Sequence, residues 1–515
     1  MAPQEPDETA PAFDTAGVSV EEVVELGGKT AVALTGFQAG ERVFRERALV
    51  IAAAPTNLAR LRAYLALPDA RRRELREEFW GEAPEVRCAA TAACRVDAAG
   101  TGDSAAEVLA ILRAEGHTDI ELGEVEAVIR VWNLNAYDNA LAPVACKVAH
   151  SCAPNVSVRV DAEAGAIEAT ACRPISKGDS LGSWYFQDTG LWWMGSDVRR
   201  AIFETDRGFL CQCLRCRGPD VCRATQCPAC SEGTETPQGC AATPSSSTTW
   251  ACDRCGRTSS GDALKVAAEA EIVPRVLLEL RPPRGAAAGA APQRATSEEL
   301  AMLAASSRER LGPDHWTTAA ALLVLHYRGR AASGGVVDRF SAAAGCRFLG
   351  WLVGRRLPWP PAAVVRTPVA LALDCAGFFA FPPAAIPGGE APPTAPTAAS
   401  ALSDGRCIAA RILTDFLLPV FDASGMTVAS VANTGARVDK LRAWLGELRC
   451  SCGSCGAPCG KPASASVCGK CKQVRYCSRD CQQADWKARH KAGCLPATAS
   501  LQSDIAWRII TPSLT

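Results

Sequence analysis

The chain lacks an excess of charge of either sign: 55 Lys+Arg balance 55 Asp+Glu over 515 residues, and the formal net charge is zero. No basic tract long enough to follow a phosphate backbone interrupts that balance, so direct nucleic-acid binding is not expected. The opening residues, Met-Ala-Pro-Gln-Glu-Pro-Asp-Glu, carry neither a basic segment nor an apolar one, and no secretory signal peptide is expected. Long hydrophobic runs are missing too. The most apolar stretch, 369–380, is short, includes Asp374 and is bounded by prolines, which argues against a membrane span. No internal repeat stands out. Together these absences point to a protein of the cytoplasm or nucleus that makes no membrane contact.

What is present in abundance is cysteine, 26 residues, in a chain that is 48% hydrophobic and too long for one core. Without a secretory signal, metal ligation in a reducing compartment is the better reading of so many thiols than disulfides. Residues 1–14 are acidic and proline-rich, as a disordered lead-in is. Short β-branched runs fill 15–54 with turns at Gly27-Gly28 and 38–41, which predicts two or three strands. The pattern becomes helical over 55–130: Leu58, Leu61, Leu65 and Leu75 share a segment with many charges, and Ser104-Ala-Ala-Glu107 is a capping box ahead of Val108. Strand character returns at 156–160 and 167–171, so a β domain running on through 131–217 is interrupted by a helical insertion. Helices are predicted over 264–280, over 298–327 behind Thr296-Ser-Glu-Glu299, and twice within 408–448; 382–403, dense in Pro, Ala and Thr, reads as a linker inside a helical domain spanning 262–448.

The last cysteine cluster, 450–494, has the clearest spacing. Cys452 and Cys455 are separated by two residues, as are Cys468 and Cys471; Cys477 and Cys481 are separated by three, as are His490 and Cys494. Two thiolates on one short turn reach the same ion, and four such pairs suffice for two closed tetrahedral zinc sites in a segment with almost no core of its own. With Tyr476-Cys-Ser, Cys481-Gln-Gln, Trp486 and His490-Lys, this segment closely resembles the MYND zinc finger. The resemblance implies interleaved pairs: Cys452, Cys455, Cys477 and Cys481 on one zinc, Cys468, Cys471, His490 and Cys494 on the other. Cys450 and Cys459 leave the choice of first pair open. It also implies a module that recognises proteins, often through proline-containing peptides. Upstream, Cys227-Pro-Ala-Cys230 and Cys252-Asp-Arg-Cys255 look like the two knuckles of a small zinc ribbon over 222–258. A tail, 495–515, follows the finger.

The remaining signal is an ordered set: His150-Ser-Cys-Ala-Pro-Asn155, the run Ile175-Ser-Lys-Gly-Asp-Ser-Leu-Gly-Ser-Trp-Tyr185, and Phe209-Leu-Cys-Gln-Cys-Leu-Arg-Cys216. With Gly36-Phe-Gln-Ala-Gly-Glu-Arg-Val-Phe44 and Asn135-Ala-Tyr137, this set resembles the SET-and-MYND family of protein lysine methyltransferases. The resemblance implies a multidomain α+β fold: a SET β-fold with a helical insertion, a post-SET zinc site, the zinc ribbon, an α-helical C-terminal domain and the MYND zinc finger. Carried over residue by residue, it gives Cys152, Cys211, Cys213 and Cys216 as a further zinc site, about four zinc ions in all. It gives Tyr185 as the residue at the site of methyl transfer, and Gly28, Lys29, Asn135, Ala149, His150, Tyr185 and Phe209 around S-adenosylmethionine, with Trp184, Tyr185 and Phe186 as channel wall. The substrate implied is a protein with an exposed lysine, histone or not. Ala149 stands where the family carries an asparagine that helps to hold the cofactor, and Thr30 where a second glycine is usual. The alternative is therefore a non-catalytic SET scaffold that presents the finger to proline-rich partners.

Overall fold

A computed structural model describes residues 13–23, 28–79, 104–185, 191–207, 209–230, 232–239, 248–260, 263–280, 294–335, 337–355, 357, 366–380, 406–418, 435–450, 452, 454–455, 459 and 466–499. The chain is mixed α/β and divides into two compact units: 1–187 with 196–219 and 239–243, and 188–195 with 220–238 and 244–515. Residues 1–12 of the expected lead-in, the linker 382–403, Gly27, Phe186 and most of the 495–515 tail lie outside the described residues.

The first unit holds short strands and an inserted helical layer. Strands β1 (Val18–Val23) and β2 (Gly28–Ala33) form an antiparallel pair, and β3 (Arg42–Arg47) is followed by the two-residue β4 (Val50–Ile51). Four strands thus replace the two or three predicted, and Asp14, expected in the lead-in, pairs with Arg45 through both backbone groups. Gly40, at φ +86°, makes the turn into β3. Helices α1 (Asn57–Leu65) and α2 (Asp69–Phe79) divide at Pro68 what the periodicity presents as one segment. Helix α3 (Ala105–Ala114) opens on the capping box read from the sequence, with Ser104 and Glu107 satisfying each other's backbone N–H groups, and α4 (Leu122–Asn135) follows. These helices bury Leu61, Tyr64, Leu75, Val108, Val128 and Trp132 in a core of their own.

Strand β5 (Ala140–Leu141) pairs with β4; β6 (Ala149–His150) comes next, and β7 (Val156–Asp161) and β8 (Ala166–Ala171) form a hairpin that lies beside β3 in the order β3-β8-β7. Their inner faces bury Val18, Phe44, Val156, Ile167 and Leu181. The short β9 (Gly182–Ser183) runs parallel to β6, pairing Ala149 with Gly182 and His150 with Ser183. Helix α5 (Ser196–Arg207), not foreseen from the sequence, and the single turn α6 (Leu214–Arg217) complete this unit.

In the second unit, β10 (Thr225–Gln226), β11 (Thr234–Pro237), β12 (Thr249–Cys252) and β13 (Thr258–Ser260) form an antiparallel meander. Helices α7 (Ala263–Leu280), α8 (Ser297–Arg310), α9 (Trp316–Ala332), α10 (Arg339–Gly354), α11 (Arg366–Ala380), α12 (Arg406–Ile412, prolonged by a wider turn to Leu417) and α13 (Gly435–Cys450) follow. The stretch predicted as one helix over 298–327 is two, parted at Gly312, whose φ is +98°. Residues 188–195, expected with the β domain, belong here: Trp193 packs edge-on against Phe348 at 5.3 Å. No helix among the described residues is long and apolar enough to cross a membrane, α11 included. Strands β14 (Ser466–Val467) and β15 (Arg475–Tyr476) and helix α14 (Arg479–Asp485) close the chain, with β15 packed on α13.

Candidate functional site

Among the described residues, four sets of side chains that could hold a metal are assembled: Cys152, Cys211, Cys213 and Cys216; Cys227, Cys230, Cys252 and Cys255; Cys452, Cys455, Cys477 and Cys481; Cys468, Cys471, His490 and Cys494, the ligand atoms in each lying within 4.8 Å of one another. The spacings say which ion they suit. A tetrahedron with zinc–sulfur bonds of about 2.3 Å has sulfur–sulfur edges of about 3.8 Å. The observed edges are 4.0 Å for Cys152–Cys211, 3.8 Å for Cys227–Cys255, 3.7 Å for Cys230–Cys252, 3.7 Å for Cys455–Cys477 and 3.8 Å for Cys468–Cys494. His490 Nε2 stands 3.5 Å from Cys471 Sγ, the shorter edge that a nitrogen ligand requires. Every one of these cysteines is free of disulfide bonds. The donor sets therefore fit zinc, and Cys450 and Cys459 stay outside them.

The surroundings of each set are built for thiolates. Arg199 is fully buried and its Nη2 donates to Cys216 Sγ at 3.5 Å, placing a cation beside four sulfurs that carry two negative charges net on zinc. In the ribbon, the Gly233 N–H donates to Cys230 Sγ at 3.4 Å and the Arg254 N–H to Cys252 Sγ at 3.4 Å. A Cβ on Gly233 would stand 2.6 Å from Cys252 Sγ, so only glycine lets this strand approach the metal site. In the finger, buried Tyr476 donates its hydroxyl to Asp485 at 2.8 Å and Trp486 meets the His490 ring edge-on at 5.7 Å.

The second feature lies where β6 and β9 run side by side. Asn155 holds them in register: its Oδ1 accepts from the Gly182 N–H at 2.7 Å and its Nδ2 donates to Ser180 O at 3.0 Å. This pairing carries Tyr185 next to His150. The Tyr185 hydroxyl donates to Val148 O at 2.7 Å; the Tyr137 hydroxyl reaches the same carbonyl at 3.2 Å and Ser183 Oγ at 2.8 Å. Burial raises both phenols well above their ordinary pKa, so both are neutral. Tyr137 was read from the sequence only as part of a motif; its convergence with Tyr185 depends on a fold that no spacing displays.

The His150 side chain is spent on structure. Its Nδ1 accepts from the Tyr185 N–H at 3.3 Å, which puts the ring proton on Nε2, 3.4 Å from Cys152 Sγ. Burial pushes its pKa down to about 3, so the ring is neutral, linking the tyrosine strand to the first zinc set. Around it pack Phe203 at 4.0 Å, Trp184 at 5.2 Å and Phe209 at 6.0 Å, and Phe209 stacks on Phe203 at 5.6 Å.

Other residues expected around a cofactor are more dispersed in role. Asn135 ends α4 with its Nδ2 donating to Val131 O; Lys29 is exposed and lies opposite Glu22; Ala149 donates its N–H to Leu181 O. A Cβ on Gly28 would meet nothing within 4 Å. Thr30 is buried and donates its hydroxyl to Lys147 O at 3.1 Å, bracing the turn that precedes Ala149.

Residues 452–494 match the family model of the MYND finger. An F-box protein of Arabidopsis thaliana is 47% identical over 47 residues, 9% of this chain and 14% of that protein. A second F-box protein of the same plant is 43% identical over 53 residues, 10% of this chain and 14% of that protein. Its ubiquitin carboxyl-terminal hydrolase 19 is 56% identical over 36 residues, 7% of this chain and 5% of the hydrolase. The chain thus spans about a seventh of the length of the F-box relatives that it matches. The finger is a module of this protein, and the likeness to these relatives extends no further than a segment of its size.

Proposed function

We propose that the first unit is a SET-type protein lysine methyltransferase domain using S-adenosylmethionine, and that the MYND finger recruits protein partners through proline-containing peptides. The observation that carries the first part is the meeting of Tyr185 and Tyr137 on Val148 O, beside the motif strand Ala149–His150 and half-buried Phe209. The residues present fit the cofactor in part: Gly28 leaves open space, and the exposed part of Phe209 is a flat surface for an adenine. Ala149 offers only backbone. Bound S-adenosylmethionine supplies a sulfonium-activated methyl group.

The chain's own residues would handle the lysine. A free lysine amine has a pKa near ~10.4 and must give its proton to bulk water on entering before it can attack. The walls supplied by Trp184 and the two tyrosines disfavour an ammonium by excluding water. Tyr185 has committed its hydroxyl proton to Val148 O, so its oxygen lone pairs are left to accept a hydrogen bond from the amine N–H. That contact orients the nitrogen lone pair and fixes the attack geometry. His150 holds the Tyr185 backbone in place from behind.

The test uses the full-length, zinc-loaded protein. Calorimetry is expected to show S-adenosylmethionine binding, and labelled methyl groups are expected to reach lysines of a cell extract. Tyr185→Phe is expected to cut labelling by about 100-fold, the scale on which a misplaced reacting group costs rate, with zinc content unchanged. No cofactor binding would leave the scaffold reading, which the MYND match alone favours. Equal labelling by both proteins would remove Tyr185 from the role.

A further inference from the structure

Cys407 has no part in the four metal sets, yet it sits against one of them. It lies on α12, is 1% exposed, and is hydrogen-bonded to Cys471, a ligand in the finger's second set. A zinc-bound Cys471 is a thiolate and only accepts, so the donor is the Cys407 S–H. The Gln473 N–H also donates to Cys471 Sγ, at 3.5 Å, and comes from the finger itself. Cys407 comes from the helical domain. One turn further along α12, Arg411 grips the chain just beyond Cys494, its Nη1 reaching Ala497 O at 3.1 Å and Pro496 O at 3.4 Å. Residues 407 and 411 share a face of the helix, so a single face of α12 touches both a metal ligand and the exit of the finger.

We infer that Cys407 is an outer-shell partner of the finger's second zinc, and that through it the helical domain helps to hold that metal. Four ligands already close the tetrahedron, so a fifth sulfur has no place on zinc but has one beside it. The set is buried, with Cys468 and Cys494 each 3% exposed and Cys471 fully covered. With so little of the thiolates exposed, each protein donor to sulfur counts for more. The consequence is a finger fixed to α12 and α13, not one swinging on a tether, with its zinc affinity tied to the folding of a neighbouring domain. This holds whether or not the first unit transfers methyl groups.

The experiment compares full-length wild type with Cys407→Ala and Cys407→Ser during competition with a chromogenic zinc chelator. Release of individual ions is assigned by mass spectrometry of the alkylated thiols Cys468, Cys471 and Cys494. Cys407→Ala is expected to speed loss of this one zinc by about 10-fold, the usual scale for an outer-shell partner, and to leave the other sites alone. Cys407→Ser, close to cysteine in size and still a donor, is expected to restore most of the difference. If Cys407 merely fills space, a buried serine does no better than alanine, and that result overturns the inference, as does an alanine variant that releases zinc at the wild-type rate. Should the alanine variant not fold, Arg411→Met removes the second grip of α12 without touching sulfur. It is expected to speed loss of the same ion, and an unchanged rate there would count against the coupling.

Discussion

At the scale of single residues, spacing makes ligands visible and leaves their supports hidden. The pairs Cys452/Cys455 and Cys468/Cys471 can be read off the chain because two thiolates on one turn serve one ion. Arg199 and Cys407 cannot, because each reaches a metal set from a separate helix. The same blindness covers the buried network where Arg223 clamps the two oxygens of Glu269 at 2.7 and 2.6 Å while His315 Nε2 shares Oε1 with it at 3.0 Å. Burial alone would raise the Glu269 pKa, but the hydrogen bonds from His315 and Arg223 outweigh it and bring it down to about 2. A carboxylate whose folded pKa lies below its unfolded value stabilises fully above about pH 4.5, and that contribution fades as the pH falls towards 2. Glu269→Gln is expected to cost about 3 to 5 kcal/mol at pH 7 by stranding the Arg223 guanidinium. Denaturant melts of both proteins at each pH check this, and the gap between them should close below pH 4.5. A constant gap would remove the charge from the explanation.

At the scale of elements, strands and capped helices were legible where local chemistry decides them. The capping boxes at Ser104/Glu107 and Thr296/Glu299 form as their sequences indicate. Helix α5 is not legible because its buried face includes Arg199 and Arg200, which no pattern of apolar residues displays. The breaks at Pro68 and Gly312 escaped it because hydrophobic periodicity runs on across them. The set Cys227, Cys230, Cys252 and Cys255 is legible from its two pairs, but the demand on Gly233 is not: it comes from a sulfur 19 residues away in the chain, across the β11–β12 pair. Gly233→Ala is expected to push β11 off Cys252 and leave the ribbon unable to close on its metal. Zinc per chain should fall by one, measured by atomic emission, with the finger still loaded. An alanine variant with full zinc would show that the strand yields.

At the scale of the whole molecule, the metal sets are unevenly shared: one belongs to the first unit and three to the second. The first unit has two apolar cores to fall back on, one among helices α1–α4 and one among its strands. Among the described residues, 225–260 and 452–494 bury few apolar side chains besides Trp250, Val474 and Tyr476, so metal binding there contributes directly to folding free energy. With four sets fit for zinc, the protein is therefore expected to lose its parts in order when a strong chelator is titrated in. Hydrogen exchange is expected to rise first over 452–494, then over 225–260, and last at Tyr185 and the β7–β8 hairpin, whose packing does not depend on an ion. The Cys407 contact adds a further expectation, that α12 loosens together with the finger while α8 and α9 stay protected. Simultaneous loss of protection across both units would mean that zinc governs the entire chain as one cooperative structure, and the division of labour argued from burial would fall.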